Sequence, residues 1–142
     1  MIQLRHTGLY VKNLETETKF YKEVFGMHSV CEHLKQADVL IDDLLRHAGA
    51  SILATKLLTE QGRQSGVDDM LELLQVLIPQ SFVNQEVVPE IYRPGCMHLG
   101  FGVDDIDDVV SKIIKNGGTK YTDIHMMNNG NKCCFCQDPE GN

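Results

Sequence analysis

The sequence predicts an α+β fold built from two related halves. A stretch that begins at His6 returns at His98 with a constant offset of 92 residues, so that Gly8 matches Gly100. Each copy alternates like a strand, turns at Asn or Asp, and then shows the apolar spacing of a helix. At 142 residues the chain is long enough for one domain, or for two small halves that share a core.

Composition excludes several classes of protein. The formal net charge of -7 argues against a nucleic-acid partner, which needs a basic face. No apolar run is long enough to span a bilayer, so no membrane partner is expected. The first residues lack the basic start and apolar middle of a signal peptide, and an odd number of cysteines, 5, fits reduced thiols. We therefore expect a cytoplasmic protein.

The first half, residues 1–78, reads as strand, helix and three more strands with a small helix inserted. The helix is predicted between Asn13, an N-cap residue, and Gly26, a C-cap residue. The other predicted elements are strands at 2–11, 28–34, 50–58 and 70–78, a short helix within 38–47 and a polar turn at 60–66.

Residues 79–96 are predicted to link the halves or to form a flap over a pocket, because three of the four prolines lie there. The second half, residues 97–142, restarts with a predicted strand at 97–103. The remaining predicted elements are a helix at 106–115 capped by Asp105, with Val109, Val110, Ile113 and Ile114 buried, strands at 121–127 and 132–137 joined by an Asn-rich hairpin turn, and a turn at 138–141.

A histidine and a glycine share one face of each repeated strand, while the opposite face is apolar. His6 lies two residues before Gly8, and His98 lies two residues before Gly100. Glycine within a strand often marks a place where a ligand approaches the backbone. Two equivalent histidines at the starts of two related strands therefore predict a pseudo-twofold ligand site.

Glu72 is the third candidate, because it interrupts the apolar strand at 70–78. A carboxylate there is costly unless it is paired, protonated or bound to a metal. Two imidazoles and a carboxylate suit Zn²⁺, Ni²⁺, Co²⁺, Fe²⁺ or Mn²⁺. We therefore predict a divalent metal site with His6, Glu72 and His98 as ligands.

Simpler interpretations stand beside this one. A single strand histidine is more often structural than a ligand, and Glu72 could lie at a strand edge with its carboxylate in water. The repeat favours the metal site because it makes His6 and His98 equivalent. Cys134 and Cys136 are predicted to share a strand face, where cysteines usually behave as small hydrophobic side chains.

Five segments resemble one superfamily. They read HTGLYV at 6–11, FYKEVFG at 20–26, LELL at 71–74, HLGFGVDDI at 98–106 and DPEGN at 138–142. Together they resemble the vicinal oxygen chelate superfamily, which includes glyoxalase I, methylmalonyl-CoA epimerase, extradiol dioxygenases, fosfomycin-resistance enzymes and bleomycin-binding proteins. The resemblance covers nearly the whole chain. It implies two βαβββ modules that form a curved mixed sheet around a metal, and it implies a homodimer.

The resemblance also assigns ligands. His6 matches the histidine of the first module, Glu72 its carboxylate, and His98 the histidine of the second module. The family's fourth ligand is usually a Glu on the strand after the Asp-Pro-Glu-Gly turn, which is expected just beyond Asn142. The last strand of the second module is therefore expected to be missing from this sequence.

The activity implied is that of a glyoxalase-type lyase or isomerase, similar to lactoylglutathione lyase. A metal would stabilise an enediolate of a small-molecule substrate while Glu72 moves the proton. Tyr10 stands where glutathione-dependent glyoxalases usually have an arginine, which argues against glutathione as the thiol carrier. The alternatives are an acyl-CoA epimerase, an extradiol-type dioxygenase, whose relatives lack a carboxylate at the Glu72 position, and a non-catalytic protein that binds a small molecule such as an antibiotic.

Overall fold

A computed structural model of the chain describes residues 4–66, 69–82, 91–95 and 97–142. Its internal contacts divide the chain into two compact units, Met1–Gln85 and Glu86–Asn142. The fold class is α+β, as predicted. No helix among the described residues is long and apolar enough to cross a membrane.

A four-stranded mixed sheet forms the centre of the first unit. Its strands lie in the order β1-β4-β3-β2, with β1 parallel to β4 and the other neighbours antiparallel. The elements are β1 (His6–Tyr10), α1 (Leu14–Phe25), β2 (His28–Gln36), α2 (Val39–Leu45), β3 (Ser51–Leu58), α3 (Glu60–Ser65), β4 (Met70–Ile78) and a 3₁₀ turn (Gln80–Phe82).

Helix α1 begins and ends where the sequence predicts. The Asn13 side chain accepts a hydrogen bond from the Thr16 amide, and Gly26 adopts the left-handed conformation that closes the helix. Glu17, an acidic residue in the first turn of α1, is fully buried. The Leu14 amide donates to Gln75 Oε1 at 2.8 Å, which places α1 on the face of β4 that bears Gln75.

The same face carries the best-buried side chains of the sheet. Leu73 and Leu57 are completely buried, as is Thr55 between them on β3 and β4. Because side chains alternate along a strand, Glu72 and Leu74 point to the opposite face. The core under α1 therefore leaves the second face of the sheet for α2 and for the candidate site.

Helix α2 covers one end of that second face. Ile41 of α2 packs with Ile52 and Ala54 of β3 and with Leu74 of β4. The start of α2 is fixed by its N-cap residue, because the Asp38 side chain accepts a hydrogen bond from the Ile41 amide. Helix α2 thus packs on this face of β4 as far as Leu74, and Glu72 is the next residue on the same face, two positions away.

The turn predicted at 60–66 is wrong, because residues Glu60–Ser65 form the short helix α3. The Thr59 side chain caps it by accepting from the Gly62 amide, and Gly66 ends it in the left-handed conformation. Gly62, a glycine within the predicted turn, lies inside this helix and against the Asp69 side chain. A Cβ at Gly62 would meet Asp69 Oδ1 at 1.8 Å.

The second unit contains one longer helix, α4 (Ile106–Lys115), at the predicted bounds. Asp105 caps it by accepting from two backbone amides, those of Asp107 and Asp108. Its predicted buried stripe is only partly right. Val110 and Ile113 are buried, whereas Ile114 is 55% exposed.

The strands of the second unit are shorter than predicted. They are β5 (Thr119–Lys120), β6 (His125–Met126), β7 (Lys132–Cys133) and β8 (Cys136–Gln137), with β5 paired to β8 and β6 to β7. The predicted hairpin turn at 128–131 does join β6 to β7. The turn at 138–141 is also present, with the Gly141 amide donating to the Asp138 carbonyl oxygen at 3.0 Å.

Residues 97–103 are all described and form no strand, so the strand predicted at His98 is wrong. Gly100 and Gly102 weaken a strand, because glycine loses more backbone freedom on folding and has no side chain to pack. The first predicted strand is confirmed over His6–Tyr10, while its residues 2–3 lie outside the described residues. Within the predicted linker, residues 83–90 and 96 also lie outside them.

Candidate functional site

Three neighbouring strands of the first unit, β1, β4 and β3, each contribute one residue to a row of register partners across the sheet. In the ladder, Gly8 of β1 is the partner of Glu72 on β4, and Glu72 is the partner of Lys56 on β3. The three residues share the face that α2 leaves uncovered. Glu72 is the most enclosed of them, with 15% of its side chain exposed, while the Lys56 side chain is 33% exposed.

The structure brings together His6 and Glu72, two of the three residues predicted as metal ligands. His6 Nε2 lies 3.6 Å from Glu72 Oε2, and the His6 side chain is 52% exposed. Two ligands about 2.1 Å from one tetrahedral ion lie about 3.4 Å apart, so the observed separation fits two positions on one metal. The nitrogen and oxygen donors also match the preference of first-row divalent ions.

Gly8 leaves room beside this pair. A Cβ built on Gly8 would have Leu74 Cδ1 as its nearest neighbour, at 3.7 Å, an ordinary contact distance. The backbone of Gly8 therefore does not require glycine, and the absent side chain simply keeps the face open above Glu72. Burial, and then the negative charge of Glu72, raise the pKa of the Tyr10 hydroxyl on the same face.

Lys56 is the site residue that sequence reasoning missed. Its Nζ lies 3.3 Å from Glu72 Oε1, so the two carboxylate oxygens of Glu72 face different partners. The available signal was a single cation in the apolar strand at 51–58 beside a single anion in the strand at 70–78. Opposite charges on neighbouring strands commonly pair, but the register needed to align them was not readable.

His98, the third predicted ligand, belongs to the second unit. Its side chain is exposed and its ring meets the Phe135 ring edge-on, with centroids 5.3 Å apart. Among the described residues, no group of three or more His, Cys, Asp or Glu side chains is close enough to hold a metal ion. Of the three predicted ligands, His6 and Glu72 are the two whose side chains the structure brings close to each other.

The cysteines of the second unit form a separate cluster. Cys134 Sγ and Cys136 Sγ lie 3.8 Å apart, as expected for side chains on one face. Burial, and then the hydrogen bond with Cys134, raise the pKa of Cys136 to about 11. A thiol with so high a pKa is protonated at neutral pH and is a poor nucleophile, in keeping with a packing role.

Comparison with solved structures finds the same fold at low sequence identity. A glyoxalase family protein from Bacillus cereus superposes with a TM-score of 0.77 at 16% identity, covering 99% of this chain and 89% of that one. A glyoxalase/bleomycin resistance protein/dioxygenase family enzyme from Burkholderia phytofirmans gives 0.60 at 14% identity, covering 99% and 93%. A glyoxalase-related enzyme from Fulvimarina pelagi gives 0.59 at 19% identity, covering 99% and 84%.

Sequence comparison points to the same family. No curated protein matches the chain. The family model described as the Glyoxalase/Bleomycin resistance protein/Dioxygenase superfamily matches residues 3–142, which is nearly all of the sequence. The chain therefore belongs to the glyoxalase/bleomycin resistance protein/dioxygenase superfamily.

Proposed function

We propose that the chain is a metal-dependent lyase or isomerase of the glyoxalase type, which moves a proton next to a carbonyl group of a small molecule. The observation that carries this proposal is the 3.6 Å approach of His6 Nε2 to Glu72 Oε2 on an open face of the sheet. The proposed cofactor is one divalent ion, Zn²⁺, Ni²⁺, Co²⁺, Fe²⁺ or Mn²⁺, which suits such donors.

The proposed ligands are His6, Glu72 and His98. His6 and Glu72 are supported by their distance, and His98 by its equivalence to His6 in the sequence repeat. When bound, the metal would supply Lewis-acid stabilisation of the negative charge that develops in an enediolate.

Glu72 is the proposed catalytic residue, and its two carboxylate oxygens have different neighbours. Oε2 lies 3.6 Å from His6 Nε2 and is the better placed to bind the metal, while Oε1 lies 3.3 Å from Lys56 Nζ. A carboxylate oxygen within reach of the substrate can accept a proton beside the carbonyl and return it to the neighbouring atom.

The proposed substrate is a small molecule with a carbonyl group and an adjacent oxygen or thioester, such as a hemithioacetal or an acyl-CoA. We also propose a homodimer. Its support is the family, in which dimers are common, and the apolar side chains that α2 exposes at Val39, Leu40 and Leu44. Light scattering of the purified protein tests the dimer. The cytoplasmic location stays a prediction.

The deciding experiment joins metal binding to turnover. Purified protein is stripped of metal, titrated calorimetrically with Ni²⁺, Co²⁺ and Zn²⁺, and assayed with hemithioacetals and acyl-CoA epimers by exchange of the α-proton in deuterated water. We expect one ion per chain and metal-dependent exchange. Glu72→Gln should lose both, whereas Glu32→Gln, which alters an exposed carboxylate on β2, should lose neither. A wild-type chain that takes up no divalent ion would overturn the proposal.

The Lys56–Glu72 ion pair favours a second candidate, a non-catalytic module that binds a small molecule. Lys56 Nζ already balances the Glu72 carboxylate at 3.3 Å without a metal. Such a module would bind its ligand equally well in the presence of a strong chelator. The glyoxalase-type activity would disappear on chelation and return with added metal.

A further inference from the structure

The ion pair of Lys56 with Glu72 has a more enclosed anion than two other lysine pairs of the described residues, Lys22–Glu32 and Lys112–Asp108. Glu72 keeps 15% of its side chain exposed. In the pairs Lys22–Glu32 and Lys112–Asp108, by contrast, the side chains are 41% and 34%, and 48% and 53%, exposed. Charges in an enclosed position are screened less by water and salt, so the Lys56–Glu72 attraction is the stronger one.

The position of Lys56 follows from the sheet rather than from a chance side-chain conformation. Lys56 and Glu72 are direct partners in the antiparallel ladder of β3 and β4, where facing side chains interact most strongly. The lysine has a long aliphatic stem and is 33% exposed, so its ammonium can leave the carboxylate for solvent without disturbing the strand. The pair is therefore held together by the fold and can still be opened.

We propose that Lys56 is the internal counter-ion of Glu72 in the metal-free protein, and that its positive charge competes with a divalent metal for the Glu72 carboxylate. This inference rests on the proposed function, because it concerns the same Glu72. Both cations seek one carboxylate, with Lys56 Nζ at Oε1 and the His6 side of the site at Oε2. Lys56 thereby sets how tightly the site holds its metal.

The test is metal affinity, measured by competition with a chromogenic chelator at fixed pH and ionic strength. Lys56→Met keeps the aliphatic stem but removes the charge, and it should bind Zn²⁺ and Ni²⁺ about threefold to fivefold more tightly than the wild type, the effect of one partly exposed charge. Lys56→Arg keeps the charge and should stay near the wild-type affinity. Lys35→Met, which changes an exposed lysine on the neighbouring strand β2, should also leave the affinity unchanged.

The outcomes separate this inference from the function on which it rests. Equal affinity in the wild type and Lys56→Met would overturn the inference and leave the metal enzyme standing. Metal uptake by Lys56→Met alone would support the inference and overturn the proposed function of the wild-type chain. No uptake by either protein would overturn both.

A second measurement needs no metal. Urea unfolding of metal-free wild type, Lys56→Met, Glu72→Gln and the double variant forms a double-mutant cycle. We expect the double variant to be more stable than the two single effects predict, because each single change leaves one charge without its counter-ion. Additive effects would show that Lys56 and Glu72 do not interact and would overturn the counter-ion role.

Discussion

The two halves of the chain share a sequence repeat but differ in how fully that repeat becomes structure. Asn13 and Asp105 are matching positions, and both cap a helix with their side chains. The matching strands behave differently. His6–Tyr10 pairs along its length with β4, whereas residues 97–103, all described, form no strand. A helix satisfies its backbone within one segment, but a strand needs a partner, so the same pattern is sufficient for one and insufficient for the other.

This difference bears on the candidate site. His6 meets Glu72 because a ladder aligns Gly8 with Glu72, which brings the side chain two residues earlier alongside the carboxylate. His98 lies in no ladder of the strands that the structure describes, and its exposed ring lies against Phe135. The first half therefore provides a preformed pair of donors, while the role of His98 depends on the repeat alone.

The largest expected effect comes from removing each histidine in turn. His6→Ala and His98→Ala should each weaken metal binding by at least about 100-fold, more than the loss of a residue that only orients a metal ligand. Competition with a chelator measures both. His125→Ala, which removes another exposed histidine of the second unit, is the matched control. If His98→Ala keeps the wild-type affinity, the two halves are not equivalent in function and His98 is not a ligand.

The next effect concerns stability. Leu73→Ala in β4 removes a completely buried side chain and should cost about 3 kcal/mol of unfolding free energy. Ile114→Ala in α4 changes a residue that the helical pattern predicted to be buried but that is 55% exposed, and it should cost about 0.5 kcal/mol or less. Urea unfolding measures both. A large loss of unfolding free energy in Ile114→Ala would mean that Ile114 is buried, as the helical pattern predicted.

The sequence predicted local features of the fold better than long-range ones. The bounds of α1 and α4 were predictable because Asn13, Gly26 and Asp105 act on the backbone next to them. Helix α3 was missed because Gly62 was taken as a turn signal, although the Thr59 cap before it carried the correct information. Local chemistry was sufficient in both cases, once each residue was given the right role.

The candidate site was predictable only where one residue stood out against its strand. Glu72 was recognised as an isolated carboxylate, and His6 through the repeat. Lys56 was missed because its partnership depends on the register of β3 against β4, which no short segment encodes. The same limitation led to the incorrect strand at His98, since a pattern can describe a strand without supplying its partner.

The N-cap residues of α1 and α4 allow a comparison of the two halves in which the expected stability losses are smaller and similar. Asn13→Ala and Asp105→Ala should each cost about 1 kcal/mol, because each leaves at least one amide at the start of a helix without its side-chain acceptor. Asp105→Asn should recover most of the loss, since an amide oxygen can accept the same bonds. Thermal unfolding followed by circular dichroism provides the values. A much larger effect at one cap would show that the two halves differ in helix stability as well as in their strands.

The smallest expected effect is a loss of stability in acid. It can be compared between the two halves at one exposed carboxylate in each, Glu60 and Asp123. The hydrogen bond from Arg63, then that from Gln64, lowers the pKa of Glu60 from 4.5 to about 2, and the hydrogen bond from Lys120 lowers the pKa of Asp123. A lowered pKa in the folded state gives a contribution that is present above the unfolded value and is lost as the pH falls.

For Glu60 that loss should occur between pH 4.5 and about 2, with a small amplitude because the carboxylate is exposed to solvent. Glu60→Gln should therefore flatten the fall in urea midpoint across this window, and Asp123→Asn should do so to a lesser extent. Midpoints at a series of pH values test both, with Glu15→Gln in the exposed first turn of α1 as a control. If the wild type and Glu60→Gln lose stability in parallel, the bonds of α3 are too well solvated to distinguish the first half from the second.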